Sequence, residues 1–405
     1  MPVTSKTRAA ERMLDIPFSD IRRVIRRAAE HERAGKAVIH LEIGRPDFDT
    51  PQHIKEAAKA ALDRGFVHYT PNDGIPALRQ AIAERLARCN GLRVDPDGEI
   101  IVTIGTVEAV FVALAAFLNP GDEALVPVPA WPNYFHALRL VGAHPVPVPL
   151  RAEDRFRLDP GALERAITPR TRMLIVNSPH NPTGAVLDEA QRRTVADVAI
   201  RHDLLVLSDE IYDTILYEGH RPVSLATLPG MAERTITVNG FSKAYSMTGW
   251  RIGYVAAARE LSDAMIRVHQ YCATSATSFA QYGAVAAYAG PQAPCAAMVA
   301  EFDRRRRVLL GGLAEIDGLA VVPPQGAFYV FPSVEALGLS SAEFADYLLD
   351  EFHVAVVPGG SFGAAGEGFV RLAYSSAYES LVEAVARMQE ACRRLARTGR
   401  VRSGA

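Results

Sequence analysis

The sequence predicts an α/β fold: a large domain with a mainly parallel sheet between helices, and a smaller α+β domain built from both termini. Three observations predict it. Short β-branched runs alternate with helical segments through the middle of the chain. Those runs are apolar throughout, the pattern of strands covered on both faces. The last third changes to a long basic helix followed by short strands and turns. The organisation that follows is an N-terminal arm and helix (1–48) joining the small domain, a large domain (49–288), a C-terminal small domain (289–392) and a fraying tail (393–405).

The elements follow in order. A helix from about Phe18 to Ala34 carries charges too dense for full burial, so it is expected to pack on the small domain. EIIVTI (99–104) reads as a strand and VEAVFVALAAFL (107–118) as a mostly buried helix. EALVPV (123–128), RMLIVN (172–177), LLVLSD (204–209), TITVN (235–239) and IGYVAA (252–257) read as further strands. FDRRRRVLLGGLAEI reads as a long helix with an exposed basic side. LAVVPPQGAFYVFP, AVVPGGSFG and FVRLAYS read as short strands and turns. The tail from Arg393, RRLARTGRVRSGA, reads as a solvated, fraying end.

Composition excludes several function classes. The chain has 405 residues, with 44 basic and 46 acidic side chains and a formal charge of -2. That balance gives no reason to expect nucleic acid or an anionic membrane as partner. No uncharged apolar run reaches the length of a membrane span, and MPVTSKTRAAERMLDIPF lacks the apolar core of a signal peptide. Cys89, Cys272, Cys295 and Cys392 lie far apart without metal-ligand spacing, so they read as reduced thiols of a cytoplasmic protein with no metal.

In parallel sheets, ligands bind at the C-terminal ends of strands, and four such ends here carry distinctive groups. Gly105-Thr106-Val107-Glu108 opens a helix, whose free N–H groups and dipole suit a phosphate; the plainer reading is an ordinary turn. Asn177 to Gly184 (NSPHNPTG) is a proline-restricted loop able to aim one amide, or simply a rigid Asn-Pro turn. Asp209, at a buried strand end, needs a cationic or hydrogen-bonding partner unless it caps a helix, and Tyr212 is close enough to share its site. Lys243 stands among small and apolar residues, with Arg251 eight positions on. A desolvated lysine near other cations becomes a nucleophilic amine, and an arginine can clamp a phosphate. Together these groups form the set that pyridoxal phosphate needs: an amine for its aldehyde, a carboxylate for its ring nitrogen, donors for its phenolate oxygen and a phosphate cradle.

From about residue 15 to residue 390 the sequence resembles the class I aminotransferases, of fold type I among pyridoxal-phosphate enzymes. GFSKAYSMTGWRIG matches that family's lysine signature throughout, and NSPHNPTG, SDEIY, YTPNDGIPALRQAIA, GAFYVFP, VPGGSFG and VRLAYS fall in its order and spacing. The resemblance implies a seven-stranded sheet in the large domain. It implies Lys243 as the Schiff-base lysine, Asp209 on the pyridinium nitrogen, and Tyr212 and Asn181 on the phenolate oxygen. Gly105, Thr106, Val107, Ser242 and Arg251 would hold the phosphate, and Trp131 would stack on the ring. Tyr69 would reach the neighbouring active site of a homodimer. Arg371, Asn181 and Gly44 would take the substrate carboxylate. The activity implied is ping-pong transfer of an amino group from an L-amino acid to a 2-oxo acid, with Lys243 moving the Cα proton.

For the substrate side chain, Val107 stands where the branch this sequence most resembles carries a lysine for a distal carboxylate, and YCATSATSFAQ (271–281) has no arginine. Phe18, Trp131, Tyr69 and Tyr374 suggest an apolar or aromatic pocket, or alternatively core and cofactor contacts. Two departures point elsewhere. His180 replaces a second loop asparagine, as in relatives that cleave C–S bonds, and Arg45 replaces a frequent glutamate. The alternatives are therefore a C–S β-lyase, decarboxylase or oxidase. More remote is a non-catalytic regulatory protein with this fold, disfavoured because Lys243, Asp209 and Arg371 are all present and too few residues precede the matching region for a helix-turn-helix domain.

Overall fold

The computed structural model describes residues 9–397. After a helix over Asp20–Arg33 the chain forms a short strand, β1 (Ile39–His40). Seven strands then build one sheet: β2 (Ile100–Thr103), β3 (Glu123–Val128), β4 (His144–Pro149), β5 (Thr171–Asn177), β6 (Leu205–Asp209), β7 (Thr235–Gly240) and β8 (Gly253–Ala256). Their order is β2-β8-β7-β6-β5-β3-β4, parallel throughout except that β8 opposes both its neighbours. Alternate residues feed two different cores. Ile100 and Val102 pack with the helices Gln52–Asp63 and Ser278–Ala289, whereas Ile101 packs with the helix Gly105–Phe117. That two-sided cover is why these strands read as unbroken apolar runs.

β4 was not legible in the sequence. HPVPVP carries Pro145, Pro147 and Pro149, and prolines normally argue against a strand. Here they fall at every second position of an edge strand. His144 and Leu150 donate their N–H groups to Asp122 and Val128 on the inner side, so the prolines' missing donors all face the outer edge.

The helix over Gly105–Phe117 starts two residues before the expected 107, because the Glu108 carboxylate accepts the Ile104 N–H at 2.5 Å and closes the first turn. Beyond the large sheet, β9 (Tyr329–Val330), β10 (Val354–Ala355), β11 (Val357–Pro358) and β12 (Val370–Ala373) follow. β11, β12 and β9 form an antiparallel sheet, and β10 pairs with β1 in parallel, joining the N-terminal segment to the C-terminal third. The Asp20–Arg33 helix buries Val24 and Ala28 against Leu349 and Ala355, and its Arg27 bonds Asp346 and Asp350.

Two expectations are corrected. The basic side of the helix Ala293–Ala314 is not exposed throughout: Arg305 and Arg306 are buried, paired with Asp47 and Glu301, and with Glu218 and Asp303. The tail does not fray from Arg393. The last helix runs Tyr378–Arg397, with Arg393 and Arg394 bonded to Glu390; 398–405 lie outside the described residues, as do 1–8 of the expected arm. No helix among the described residues is long and apolar enough to cross a membrane.

Candidate active site

The C-terminal ends of the parallel strands converge on a cavity of about 510 Å³. Trp131 and Tyr134 follow β3, Asn177 ends β5 with Asn181 beyond it, Asp209 ends β6 with Tyr212 beyond it, and Ser242 and Lys243 follow β7. Thr106 and Val107 open the helix after β2. The opposite wall comes from Ile21, Arg22 and Ile25 of the first helix, from Gly44 and Arg45 after β1, and from Tyr329 and Arg371 of the smaller sheet.

Lys243 is partly buried and donates from Nζ to the Gly44 carbonyl at 2.6 Å. Burial, with Arg371 and Arg251 nearby, lowers its pKa to about 8 against the opposite pull of Asp209. An ammonium held so weakly yields a free amine near neutral pH. Gly44 has to be small here: a Cβ would stand 2.5 Å from the Tyr329 hydroxyl.

Asp209 is buried, and burial raises its pKa to about 6. Three things oppose that rise: the Tyr134 hydroxyl donating at 2.5 Å, the Ile211 N–H donating at 3.2 Å, and the charge of Lys243. A cationic ring nitrogen beside this carboxylate would lower it further. Tyr212 and Tyr329 share a hydroxyl contact of 2.8 Å, and burial raises both phenols, so they act as neutral donors. The Asn177 side chain anchors the loop after β5, its Oδ1 accepting the Asn181 N–H at 2.9 Å and its amide donating to the Asp209 carbonyl at 2.9 Å.

Arg251 adopts a left-handed backbone, φ 56, and spends its donors on the carbonyls of Thr248 and Ile104. Among the described residues it has no carboxylate partner, so its charge is available to an anion beside the helix N-terminus. Gly105, at φ +73, lies behind this cradle, where a Cβ would meet Arg251 Nη2 at 2.5 Å. Arg371 is buried between the rings of Tyr329 and Phe362, 4.5 and 5.1 Å from its Cζ. It donates to Asn181 Oδ1 at 3.2 Å and to the Glu42 carbonyl at 2.6 Å, and its Nε has no hydrogen-bond partner. A buried guanidinium left unsatisfied in a cavity is suited to a carboxylate. A phosphate cradle, a low-pKa amine, a carboxylate with its own donor and two neutral phenols fit pyridoxal phosphate.

Several residues lie elsewhere. Phe18 is fully exposed on a neighbouring hollow that it shares with Val107, Trp131 and Arg251; Ile21, Arg22 and Ile25 take the place expected of it. Tyr69 is 89% exposed and outside this chain's cavity. Tyr374 is core, its hydroxyl bound to the Ala327 carbonyl at 3.2 Å. His180 lines a neighbouring cavity and not the Lys243 one, paired with Thr183 Oγ1 at 2.7 Å and held neutral by burial, with a pKa of about 4. Sequence reasoning missed Tyr134, Tyr329, Arg22 and Glu42. Tyr134 was within reach, three residues after Trp131 at the start of a helix.

A family model for aminotransferase class I and II matches residues 36–388. The chain is 49% identical over 360 residues to an aspartate aminotransferase of Pyrococcus abyssi, covering 88% of this chain and 92% of the relative. It is 46% identical over 368 residues to aromatic-amino-acid aminotransferase 2 of Thermococcus litoralis, covering 90% and 94%. Among solved structures it is similar to the aspartate aminotransferase of Thermus thermophilus with maleate, with a TM-score of 0.90 and 41% identity over 95% of this chain and 99% of that one. With the fold, the lysine signature and these relatives in agreement, the chain belongs to the class I and II aminotransferases, which are pyridoxal-phosphate-dependent transaminases.

Proposed function

We propose that this chain binds pyridoxal phosphate in the Lys243 cavity and moves the amino group of an L-amino acid to a 2-oxo acid by a ping-pong route, favouring apolar or aromatic side chains. The observation that carries the reading is that Lys243, Asp209, Arg251 and Arg371 open on one cavity, with the lysine pKa brought down to about 8. Thr106, Val107, Ser242 and Arg251 would hold the phosphate, Asp209 the ring nitrogen, and Tyr212 with Asn181 the phenolate oxygen. When bound, the cofactor supplies a ring that accepts the electrons of a broken Cα–H bond. Arg371 and Asn181 orient the substrate by its α-carboxylate. Lys243, as a neutral amine, takes the Cα proton and returns it on the other side of the transfer. Asp209 keeps a proton at the ring nitrogen, and Tyr134 keeps Asp209 anionic. Trp131, Ile21, Ile25 and Ile43 give the side-chain end of the cavity an apolar lining. A cytoplasmic homodimer, with Tyr69 entering the neighbouring site, completes the reading.

One observation favours a second substrate class. Arg22 and Arg45 line the same cavity, exposed and without a carboxylate partner among the described residues. Two free cations would suit the distal carboxylate of an acidic amino or oxo acid. Relatives named for aspartate and for aromatic amino acids both exist.

The test is the half-reaction. Purified protein incubated with pyridoxal phosphate should show its visible band and lose it on adding a single L-amino acid, with one equivalent of 2-oxo acid formed. Recovery of the band with ammonia release would assign a lyase or an oxidase. Absence of any band would overturn the reading.

A further inference from the structure

A chain of charges runs from the surface to Arg371. Glu32, on the first helix, bonds His40 Nε2 at 3.1 Å, and His40 Nδ1 bonds Glu42 Oε1 at 2.8 Å. Glu42 is fully buried, and its Oε2 has no hydrogen-bond partner. Its backbone carbonyl holds Arg371 Nη2, and Arg371 feels its carboxylate charge without a direct ion pair. An unpaired oxygen of a buried carboxylate and an unpaired Nε of a buried guanidinium are each costly, so such a pair calls for a role.

We propose that Glu42 and His40 are positioning residues that act through Arg371, setting how strongly it holds a substrate carboxylate. The proposal rests on the reading that Arg371 is the carboxylate-binding group. With His40 protonated, Glu42 is neutralised from its own side, and Arg371 keeps its charge for the substrate. With His40 neutral, Glu42 becomes a bare buried anion that competes with the substrate for the same guanidinium.

The charges bearing on each member are few. His40 faces Glu42 on its own segment and Glu32 from the first helix. From the elements beside it, Arg387 bonds the carbonyls of Ala37 and Phe352, and His353 bonds the carbonyl of Leu349. Arg371 faces Tyr329, Tyr212 and Glu42, with Lys243 across the cavity. The bond to Glu42 is the largest influence on His40, and with Glu32 it outweighs burial to raise the pKa to about 9. Carboxylate binding should therefore be strong below pH 9 and weaken as pH rises through it.

The experiment measures the affinity of the cofactor-loaded protein for 3-phenylpropionate, a carboxylate with no amino or oxo group, by calorimetry from pH 7 to 10. Wild type should weaken by about threefold to tenfold across the alkaline step, the scale of one charge acting at intermediate distance. His40→Gln should bind at pH 7 as weakly as wild type at pH 10, and the step should vanish. Glu42→Gln should bind about as well as wild type at pH 7, bind more tightly than wild type above pH 9, and so also lose the step. Weaker binding than wild type below the step for one neighbour and tighter binding above it for the other is not what a purely structural pair would give. Glu32→Gln, a surface change safe for folding, should move the step to lower pH by removing one of the two acids that stabilise charged His40. An unchanged step in all three variants overturns the proposal. If Arg371→Leu itself leaves the affinity unchanged, it is the carboxylate assignment of Arg371 that fails instead.

Discussion

The sheet wall of the cavity holds its polar groups at least partly buried and hydrogen-bonded, two of them across the cavity to Arg371 and Gly44, whereas the helix wall, made by the first helix and the loop after β1, faces the cavity with exposed arginines that have no carboxylate partner among the described residues. Asp209 is tied to Tyr134 and Ile211, Asn181 to Asn177 and Arg371, and Lys243 to Gly44. Arg22 and Arg45, opposite them, have no carboxylate partner among the described residues. Buried, partnered groups have displaced pKa values and fixed directions, which is what bond-breaking needs. Exposed cations on a helix and a loop can move and exchange partners, which suits the choice of substrate. Changes to the sheet wall should therefore alter the chemical step, and changes to the helix wall should alter which substrate is taken.

The largest effect should come from Lys243→Ala. If Lys243 is the proton-transferring amine proposed above, its loss should lower the half-reaction rate on the order of 10⁴-fold, with substrate binding largely kept. Single-turnover oxo-acid formation reads this directly; a variant retaining most of its rate would remove Lys243 from the chemistry. The same lysine offers a pH test in the wild type. Only the neutral amine attacks an aldehyde, so the rate at which apoprotein takes up pyridoxal phosphate should rise with pH and level off above about 8. Arg371→Leu removes a cation that depresses this pKa, so the midpoint should move upward; a downward shift would contradict the electrostatics.

Next comes Asp209. Asp209→Asn should cost roughly 10²- to 10³-fold in the half-reaction by removing the charge that, in the proposed reading, would hold the ring-nitrogen proton. Tyr134→Phe should be milder and should act through Asp209. Its lost hydroxyl favoured the carboxylate, so the Asp209 pKa should rise above about 6. Cofactor affinity falls as Asp209 is protonated, so its acid limb should move toward neutral pH in this variant. Titrating apoprotein with cofactor between pH 5 and 8 would show it, and an unmoved limb would leave Tyr134 with packing alone.

The two walls also differ in how far the sequence revealed them. Lys243, Asp209 and Asn181 stood out because each interrupts or follows an apolar run, and an α/β sheet places its strand ends together whatever the loops do. The helix wall follows no such rule. Asp20–Arg33 is dense in charge and reads as an outer helix, and which of its arginines turns inward depends on β1 pairing with β10, Ile39 against Val354. That contact joins segments far apart in sequence, as do the bonds of Arg305 to Asp47 and of Arg306 to Glu218 that hid half of an apparently exposed basic face. β4 escaped because edge position, not composition, makes its prolines tolerable.

Gly105→Ala tests the cradle behind the sheet wall at smaller amplitude. The residue must keep φ +73 while its Cβ displaces the Arg251 guanidinium. About a tenfold loss of cofactor affinity is expected, from backbone strain on the order of 1 kcal/mol together with a misplaced cation. Retention of cofactor on gel filtration at low pyridoxal phosphate would measure it, and unchanged retention would free Arg251 from the phosphate.

The smallest effects should lie on the helix wall, and they are the most discriminating for substrate. Arg22→Gln and Arg45→Gln each remove an exposed charge, so screening limits the effect to about threefold to tenfold. If these arginines receive a distal carboxylate, the loss should appear in KM for 2-oxoglutarate and for aspartate, should deepen at low salt, and should leave phenylalanine and phenylpyruvate unaffected. If the aromatic reading holds alone, phenylalanine should be the better donor in the wild type and neither change should separate the two substrate classes. A loss of kcat shared by all substrates would contradict the division itself, because the helix wall would then be shaping the chemical step through the Lys243 side of the cavity.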